Sequence, residues 1–155
     1  MDPYLSWLRS KIGTELIKAP GTGVVVRDDA GRVLLGLRAD NGLWGLLGGW
    51  VGPGESVLEA VKREATEESG WEIEVTGLLG VYSAPELTRL TYPSGDRAEF
   101  VNVLFEGRLL RQVGVPDEET LEVRFFAPGE LPDLNPSDRQ PILDALSDGQ
   151  RPFVR

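Results

Sequence analysis

Three glutamates on one predicted helix are the residues best placed to do chemistry. In the segment 56–69, Glu64, Glu67 and Glu68 are spaced i, i+3 and i+4, so their carboxylates share one helical face. That face borders a predicted apolar stripe of Val57, Leu58, Val61 and Ala65. Like charges at this spacing destabilise a helix, and we expect no cation on the helix itself to neutralise Glu64 and Glu68. The pattern fits either a solvated acidic surface or an oxygen-rich site for a divalent cation.

The composition limits the other kinds of chemistry. The chain of 155 residues contains no cysteine and no histidine, so it has no thiolate nucleophile, no Ser-His-Asp triad and no zinc site of the Cys or His type. Any metal must be bound by oxygen atoms, which favours Mg²⁺ or Mn²⁺. The 16 Lys plus Arg against 25 Asp plus Glu give a net charge of -9. We therefore expect neither nucleic acid nor a membrane as a partner.

The glutamates belong to a longer motif that runs from Gly49 to Trp71 and reads GWVGPGESVLEAVKREATEESGW. This segment resembles the Nudix box, G-x5-E-x7-R-E-U-x-E-E-x-G-U, in which U is a bulky aliphatic residue. The residues in register are Gly49, Glu55, Arg63, Glu64, Glu67, Glu68 and Gly70. Ala65 and Trp71 depart from the motif at its two U positions, but every carboxylate of the box is in place.

The resemblance implies an α/β fold, a Nudix α/β/α sandwich with a central mixed β-sheet. It also implies a hydrolase of the MutT type that cleaves a nucleoside diphosphate linked to another moiety, by attack of water on phosphorus. In such a protein Glu64, Glu67 and Glu68 would be the catalytic ligands of Mg²⁺ or Mn²⁺, with a backbone carbonyl of Gly49 as a further ligand. Arg63 would hold these carboxylates in place.

The sequence leaves the identity of the general base open. Without histidine it must be a carboxylate, or else a hydroxide on the metal acts alone. The carboxylate could come from the box or from the later loop VPDEETLEVRFF, where Glu118 and Glu119 are the candidates. We favour Glu119, although the same loop could simply be a solvated acidic surface.

Gly49 of the motif and residues outside it could bind the substrate. Arg38 ends a predicted strand before the glycine-rich loop and could reach a phosphate, or it could be an ordinary surface arginine. Trp44 and Trp50 flank that loop. Either could stack on a base, but core packing is the better expectation for Trp44.

Three functions are compatible with the motif. The first is a Mg²⁺-dependent pyrophosphohydrolase that acts on ADP-ribose or another nucleoside diphosphate sugar. The second is a pyrophosphatase for a nucleoside triphosphate, including a modified one. The third is a non-catalytic nucleotide-sensing domain on the same scaffold, which the complete acidic set argues against. In each case we expect a small-molecule nucleotide as the ligand.

A scaffold for these residues can be predicted from local patterns. Helices are predicted at 3–12, 56–69 and 137–146. Strands are predicted at 23–27, 32–38, 44–47, 72–83, 99–110 and 122–126. The turn Asp-Asp-Ala-Gly should join the first two strands as a hairpin. Asp2 and Ser137 are the expected caps of the first and last helices, and Ser56 with Glu59 forms a capping-box pattern at the middle one.

We expect one Nudix hydrolase domain over residues 1–155, of which 1–19 form an N-terminal helical extension. That extension could serve the packing of a homodimer. The chain begins without a basic segment followed by an apolar run, and no apolar stretch approaches the ~18 residues of a membrane span. These features favour the cytoplasm.

Overall fold

Two β-sheets and the helices around them make up the computed structural model, which describes residues 3–155. The strands are β1 (Ile17–Val26), β2 (Val33–Arg38), β3 (Trp44–Gly45), β4 (Leu47–Trp50), β5 (Trp71–Tyr82), β6 (Arg89–Thr91), β7 (Arg97–Gln112), β8 (Thr120–Phe126) and β9 (Phe153–Val154). The helices are α1 (Pro3–Ile12), α2 (Val57–Ser69), α3 (Pro85–Thr88) and α4 (Pro136–Leu146).

The larger sheet is mixed and has the strand order β4-β1-β7-β5-β9, with β6 also paired to β7. Strand β1 runs parallel to β7 over its whole length and antiparallel to β4. The smaller sheet has the order β3-β2-β8 and is antiparallel. Because β1 pairs with a strand about 80 residues later, this sheet brings distant parts of the chain together.

Helices cover both faces of the mixed sheet. Val61 and Ala65 of α2 pack with Val24 and Phe105 in one buried cluster. Ile142 of α4 packs with other strand residues in a second cluster. Alternate residues of a strand point to opposite faces, which is how β1 contributes to both clusters. The predicted α/β/α sandwich with a mixed sheet is confirmed.

The predicted hairpin between the first two strands is wrong. The turn forms as expected, since the Asp28 N–H donates to the Arg32 carbonyl at 3.1 Å. The two strands then diverge, because β1 belongs to the mixed sheet and β2 to the three-stranded sheet. Where the hairpin was predicted, the two strands are joined by a single antiparallel β-bridge between Arg27 and Val33.

Helix α2 begins and ends as its sequence predicts. Ser56 and Glu59 form the reciprocal capping box, and Gly70 takes the left-handed conformation at φ 76° that ends the helix. The predicted apolar stripe is correct for Val61 and wrong for Leu58, which is 45% exposed. The caps therefore fix where α2 starts and stops, and thus where its glutamates lie.

The two terminal helices differ in how well they match the prediction. Helix α1 covers the predicted residues, while the expected cap Asp2 lies outside the described residues. The expected cap of α4 is wrong, because the helix starts at Pro136 and Ser137 lies inside its first turn. Strand β1 already begins at Ile17, so the last residues of the expected N-terminal extension belong to the sheet. No helix within residues 3–155 is long and apolar enough to span a bilayer.

Candidate functional site

Two successive glycines of β4 each accommodate one carboxylate of α2. The Gly48 N–H donates a hydrogen bond to Glu68 Oε2 at 2.8 Å. A Cβ atom added to Gly49 would lie 2.7 Å from Cδ of Glu64, far inside the contact distance of real side chains. Strand β4 holds both glycines in place by pairing with β1. The glycine at 49 is therefore what leaves room for the Glu64 carboxylate.

Glu68 is a buried carboxylate beside other acidic groups. Its residue is only 9% exposed. Burial raises the pKa of Glu68 to about 8, and the charge of Glu64 adds to the effect, while the Gly48 hydrogen bond opposes it. Asp117 contributes further repulsion. A buried group in this position is stabilised by any cation that reaches it.

Arg63 connects most of the motif. Its Nε and Nη2 donate to the two carboxylate oxygens of Glu55 at 3.0 and 2.7 Å, and Nη2 also donates to the Trp50 carbonyl at 3.2 Å. Its Nη1 donates to Glu64 Oε1 at 2.7 Å and to Glu67 Oε2 at 3.2 Å. The expectation that no cation on the helix neutralises Glu64 is thus wrong, because Arg63 is its immediate neighbour and reaches it.

The later acidic loop lies against the box helix. The Asp117 N–H donates to the Glu67 carbonyl at 2.9 Å, which fixes the loop to the end of α2. The side chain of Glu119 is close enough for its charge to raise the pKa of Glu64, although burial is the largest cause of that shift. Sequence reasoning placed Glu119 in this loop but did not single out Asp117, which lies two residues before it.

Arg38 lies within electrostatic reach of Glu68, but its guanidinium already pairs with a carboxylate. Its guanidinium donates to both carboxylate oxygens of Asp40 at 3.0 and 2.8 Å. The charges of Glu68 and Asp138 also act on it and help to raise the pKa of Arg38 against the effect of burial. Arg38 is therefore not a free surface arginine. Asp40 and Asp138 were not predicted, because nothing in their local sequence indicates a shared partner.

The two tryptophans of the glycine-rich loop have different surroundings. Trp44 packs edge-on against Phe126 with ring centroids 4.8 Å apart and belongs to the buried cluster beside α4. The expectation of core packing for Trp44 is confirmed. Trp50 lies near Tyr4 of α1, with ring centroids 6.4 Å apart.

The donors around α2 suit a hard divalent cation in type but do not enclose one in position. Glu64, Glu67 and Glu68 offer only anionic oxygens, and two of these carboxylates repel each other at a buried location. Within residues 3–155, however, no three acidic side chains stand close enough together to hold one ion. The Glu64 and Glu67 carboxylates form ion pairs with the Arg63 guanidinium. The chemistry of the donor set fits a metal.

Known proteins resemble this chain over most of its length. A family model of the NUDIX domain matches residues 17–146. A "MutT-like protein" of Streptomyces ambofaciens is 34% identical, over 98% of this chain and 91% of its own. An "ADP-ribose pyrophosphatase" of Methanocaldococcus jannaschii is 33% identical, over 72% of this chain and 63% of its own. The "Nucleoside triphosphatase NudI" of Escherichia coli is 26% identical, over 76% of this chain and 89% of its own.

A solved structure has the same fold. The MutT NUDIX hydrolase of Burkholderia pseudomallei superposes with a TM-score of 0.67 and 27% identity, covering 83% of this chain and 98% of that one. The motif of Gly49 to Gly70 lies inside the region that the family model matches. On these grounds the chain belongs to the NUDIX family and is a hydrolase that acts on diphosphate bonds.

Proposed function

We propose that this protein is a Mg²⁺- or Mn²⁺-dependent pyrophosphohydrolase that cleaves ADP-ribose or another nucleoside diphosphate sugar. The observation that carries the proposal is the seating of Glu64 and Glu68 on two adjacent glycines, beside Arg63. Carboxylates held in this way at the edge of a core serve little structural purpose, because burial and mutual repulsion make them costly. The relative from M. jannaschii supports the choice of substrate, since its name states that activity.

The metal would be bound by Glu64, Glu67 and Glu68, with the Gly49 carbonyl as a further ligand. A bound divalent cation neutralises the diphosphate and lowers the pKa of water. Arg63 Nη1 contacts one oxygen of each of these carboxylates, Glu64 Oε1 and Glu67 Oε2, so the other oxygen of each could bind the ion. Arg63 would hold the two side chains in this orientation, since its bonds to Glu55 and to the Trp50 carbonyl keep it in place.

Residues outside the box would complete the reaction. Glu119 is our candidate general base, which takes a proton from the attacking water, because its charge already acts on Glu64. Arg38 would bind a phosphate of the substrate after exchanging its contact with Asp40. Phosphoryl transfer requires mainly positioning and charge stabilisation, which these residues can supply.

A hydrolysis screen tests the proposal. The purified protein is incubated with Mg²⁺ or Mn²⁺ and a panel of ADP-ribose, other nucleoside diphosphate sugars, and ordinary and oxidised nucleoside triphosphates. We expect release of a nucleoside monophosphate from ADP-ribose or a related sugar, and none in EDTA. Preference for triphosphates would favour the second candidate substrate. The 26% identity to the triphosphatase of E. coli supports that alternative. Thermal stabilisation by nucleotides without cleavage would instead identify a sensing domain.

The remaining features of the protein follow from the same proposal. We infer one domain over residues 1–155 that works in the cytoplasm on a small-molecule nucleotide, with neither nucleic acid nor a membrane as a partner. A homodimer through α1 is the oligomeric state to test by light scattering. The net charge of -9 supports the absence of nucleic acid, since phosphate binding needs clustered Lys and Arg.

A further inference from the structure

The loop between β7 and β8 is attached to the C-terminal end of α2. The Gly70 carbonyl accepts hydrogen bonds from the Val113 and Gly114 N–H groups at 2.8 and 3.0 Å. The Glu67 carbonyl accepts one from the Asp117 N–H at 2.9 Å. Carbonyls at the end of a helix have no partner within the helix, so the loop supplies their donors here. One of these carbonyls belongs to a proposed metal ligand.

The contact between this loop and the helix end is close. Gly70 has a φ of 76°, and a Cβ atom added to it would lie 2.5 Å from the Gly114 carbonyl oxygen. Both the left-handed conformation and the approach of a second backbone require glycine at this position. The start of the loop is therefore packed directly against the backbone that ends α2.

Glu119, at the other end of the loop, is attached to β2. Its carbonyl accepts a hydrogen bond from the Ala39 N–H at 2.9 Å, and the next residue, Thr120, pairs with Arg38. The register of this pairing shifts between Leu37 and Arg38. The main chain at Glu119 thus joins the loop to the end of the strand that carries the predicted phosphate-binding arginine.

The side chain of Asp117 connects the two attachments. Its Oδ1 accepts a hydrogen bond from the Glu119 N–H at 3.0 Å, while its own N–H is bonded to the Glu67 carbonyl. A carboxylate that binds the N–H two residues later closes a compact turn. Because Glu119 is exposed, side-chain packing does not hold it, and this turn determines where the main chain presents its carboxylate.

We propose that Asp117 is the positioning residue of the general base, because its turn ties Glu119 to α2 and presents the Glu119 carboxylate to Glu64. The helix that carries the proposed metal ligands thereby also determines the place of the base. Burial and, to a smaller extent, the charges of Glu67 and Glu119 raise the pKa of Glu64, in agreement with this arrangement. The inference rests on the proposed function, since it explains how the base of that reaction is held.

Two substitutions of Asp117 separate the turn from the charge. Asp117→Asn keeps an oxygen that can accept the Glu119 N–H bond, whereas Asp117→Ala loses both the acceptor and the charge. We expect kcat for ADP-ribose to fall about 10- to 100-fold in Asp117→Ala, with KM little changed, because a reacting group displaced by about 1 Å has effects of this size. Asp117→Asn should stay close to wild type. Equal losses in the two variants would overturn the inference.

Asp28→Ala is the matched control. Asp28 Oδ1 accepts a hydrogen bond from the Ala30 N–H at 3.1 Å, which is the same kind of turn in the connection between β1 and β2. This variant removes a turn of equal type far along the chain from Glu119 and should leave kcat unchanged. A loss equal to that of Asp117→Ala would show a general effect of destabilisation and would overturn the inference.

A double variant shows whether Asp117 acts through Glu119. In Glu119→Gln the base is already absent, so adding Asp117→Ala should lower kcat by less than about twofold further, which is the behaviour of coupled residues. Losses that multiply would mean that Asp117 acts independently of Glu119, and they would overturn the inference.

Amide hydrogen exchange tests the turn without hydrolysis. Exchange of the Glu119 N–H, measured by NMR, should be about 5- to 20-fold faster in Asp117→Ala than in wild type or Asp117→Asn, as expected for the loss of one hydrogen bond. Equal exchange in wild type and Asp117→Ala would overturn the inference even if the enzyme hydrolyses ADP-ribose. Faster exchange in Asp117→Ala of a protein that hydrolyses no nucleotide would support the turn and overturn the proposed function.

Discussion

Gly49 of β4 packs against the Glu64 carboxylate of α2 so closely that a methyl group on Gly49 would lie 2.7 Å from its Cδ atom. The clash involves the end of a flexible side chain, so the fold can tolerate it if Glu64 moves. We therefore expect Gly49→Ala to reduce the rate of hydrolysis by about 10- to 100-fold, because displacing a reacting group by about 1 Å has effects of this size. The melting temperature should change little.

The matched control is Gly77→Ala, since a Cβ atom there meets nothing within 4 Å. Steady-state rates and differential scanning fluorimetry are measured for both variants. Full activity of Gly49→Ala would contradict the role given to this contact.

Arg63 should act by holding the glutamates in place. It uses three guanidinium nitrogens for five hydrogen bonds to Glu55, Glu64, Glu67 and the Trp50 carbonyl. A lysine has one nitrogen and cannot bridge Glu55 in two places. We expect Arg63→Lys to lower kcat and the affinity for Mn²⁺ by about 10- to 100-fold each, in line with other residues that orient metal ligands.

The neighbouring exposed Lys62 provides the comparison. Lys62→Ala removes a cation from the same helix without touching these bonds. Equal losses in both variants would mean that helix charge matters rather than the geometry of Arg63.

The choice of base predicts a difference between two adjacent glutamates. Burial and, to a smaller extent, the charge of Glu119 raise the pKa of Glu64, so the Glu119 carboxylate acts on the proposed site. Glu119→Gln should lower kcat by about 10²- to 10⁴-fold, the range for loss of a general base, and Glu118→Gln should change it little. Equal effects of the two substitutions would exclude Glu119 as the base.

A separate prediction concerns stability at the face of the sheet that α4 covers. Asp144 is buried, and although burial opposes its ionisation, hydrogen bonds from Arg155, Tyr82 and Gln140 hold its pKa below the ordinary 3.8. Such a group stabilises the fold above its unfolded pKa, and the stabilisation is lost as the pH falls through the folded pKa. Part of the stability of the protein should thus disappear below about pH 4.

Asp144→Asn measures this contribution. At pH 7 the variant should be less stable by about 1–3 kcal/mol, the usual effect of breaking a buried hydrogen bond to a charge. Urea unfolding at pH 7, 5, 4 and 3 should show the difference from wild type shrinking with acidity. Asp148→Asn, at an exposed position of the same region, should unfold like wild type at every pH.

Features set by residues close together in the sequence could be predicted, and features set by distant residues could not. The ends of α2 follow from Ser56, Glu59 and Gly70, which act within one turn of the helix. The parallel pairing of β1 with β7 has no local signal, because its partners are about 80 residues apart. The hairpin prediction failed for this reason, since the pattern around the turn describes two strands but not the sheets they join.

The candidate site divides in the same way. The glutamates could be read from helical spacing, and Arg63 from the motif. Two other contacts depend on how loops fold onto β2 and α2. They are the hydrogen bond from Arg38 to Asp40 and the one from the Asp117 N–H to the Glu67 carbonyl. The contact of Tyr4 in α1 with Trp50 could not be predicted either, because it joins segments 46 residues apart along the chain.

Substitution of Glu68 by glutamine tests the central claim most directly. Glutamine keeps the shape of the side chain and can still accept the Gly48 hydrogen bond, but it cannot carry a charge. Initial rates of ADP-ribose cleavage with Mg²⁺ are compared for wild type and Glu68→Gln, with the melting temperature as a check on folding. A fall in kcat of about 10²- to 10³-fold in a folded protein is the predicted result. An unchanged rate in Glu68→Gln would contradict the assignment of the box carboxylates as the catalytic metal ligands.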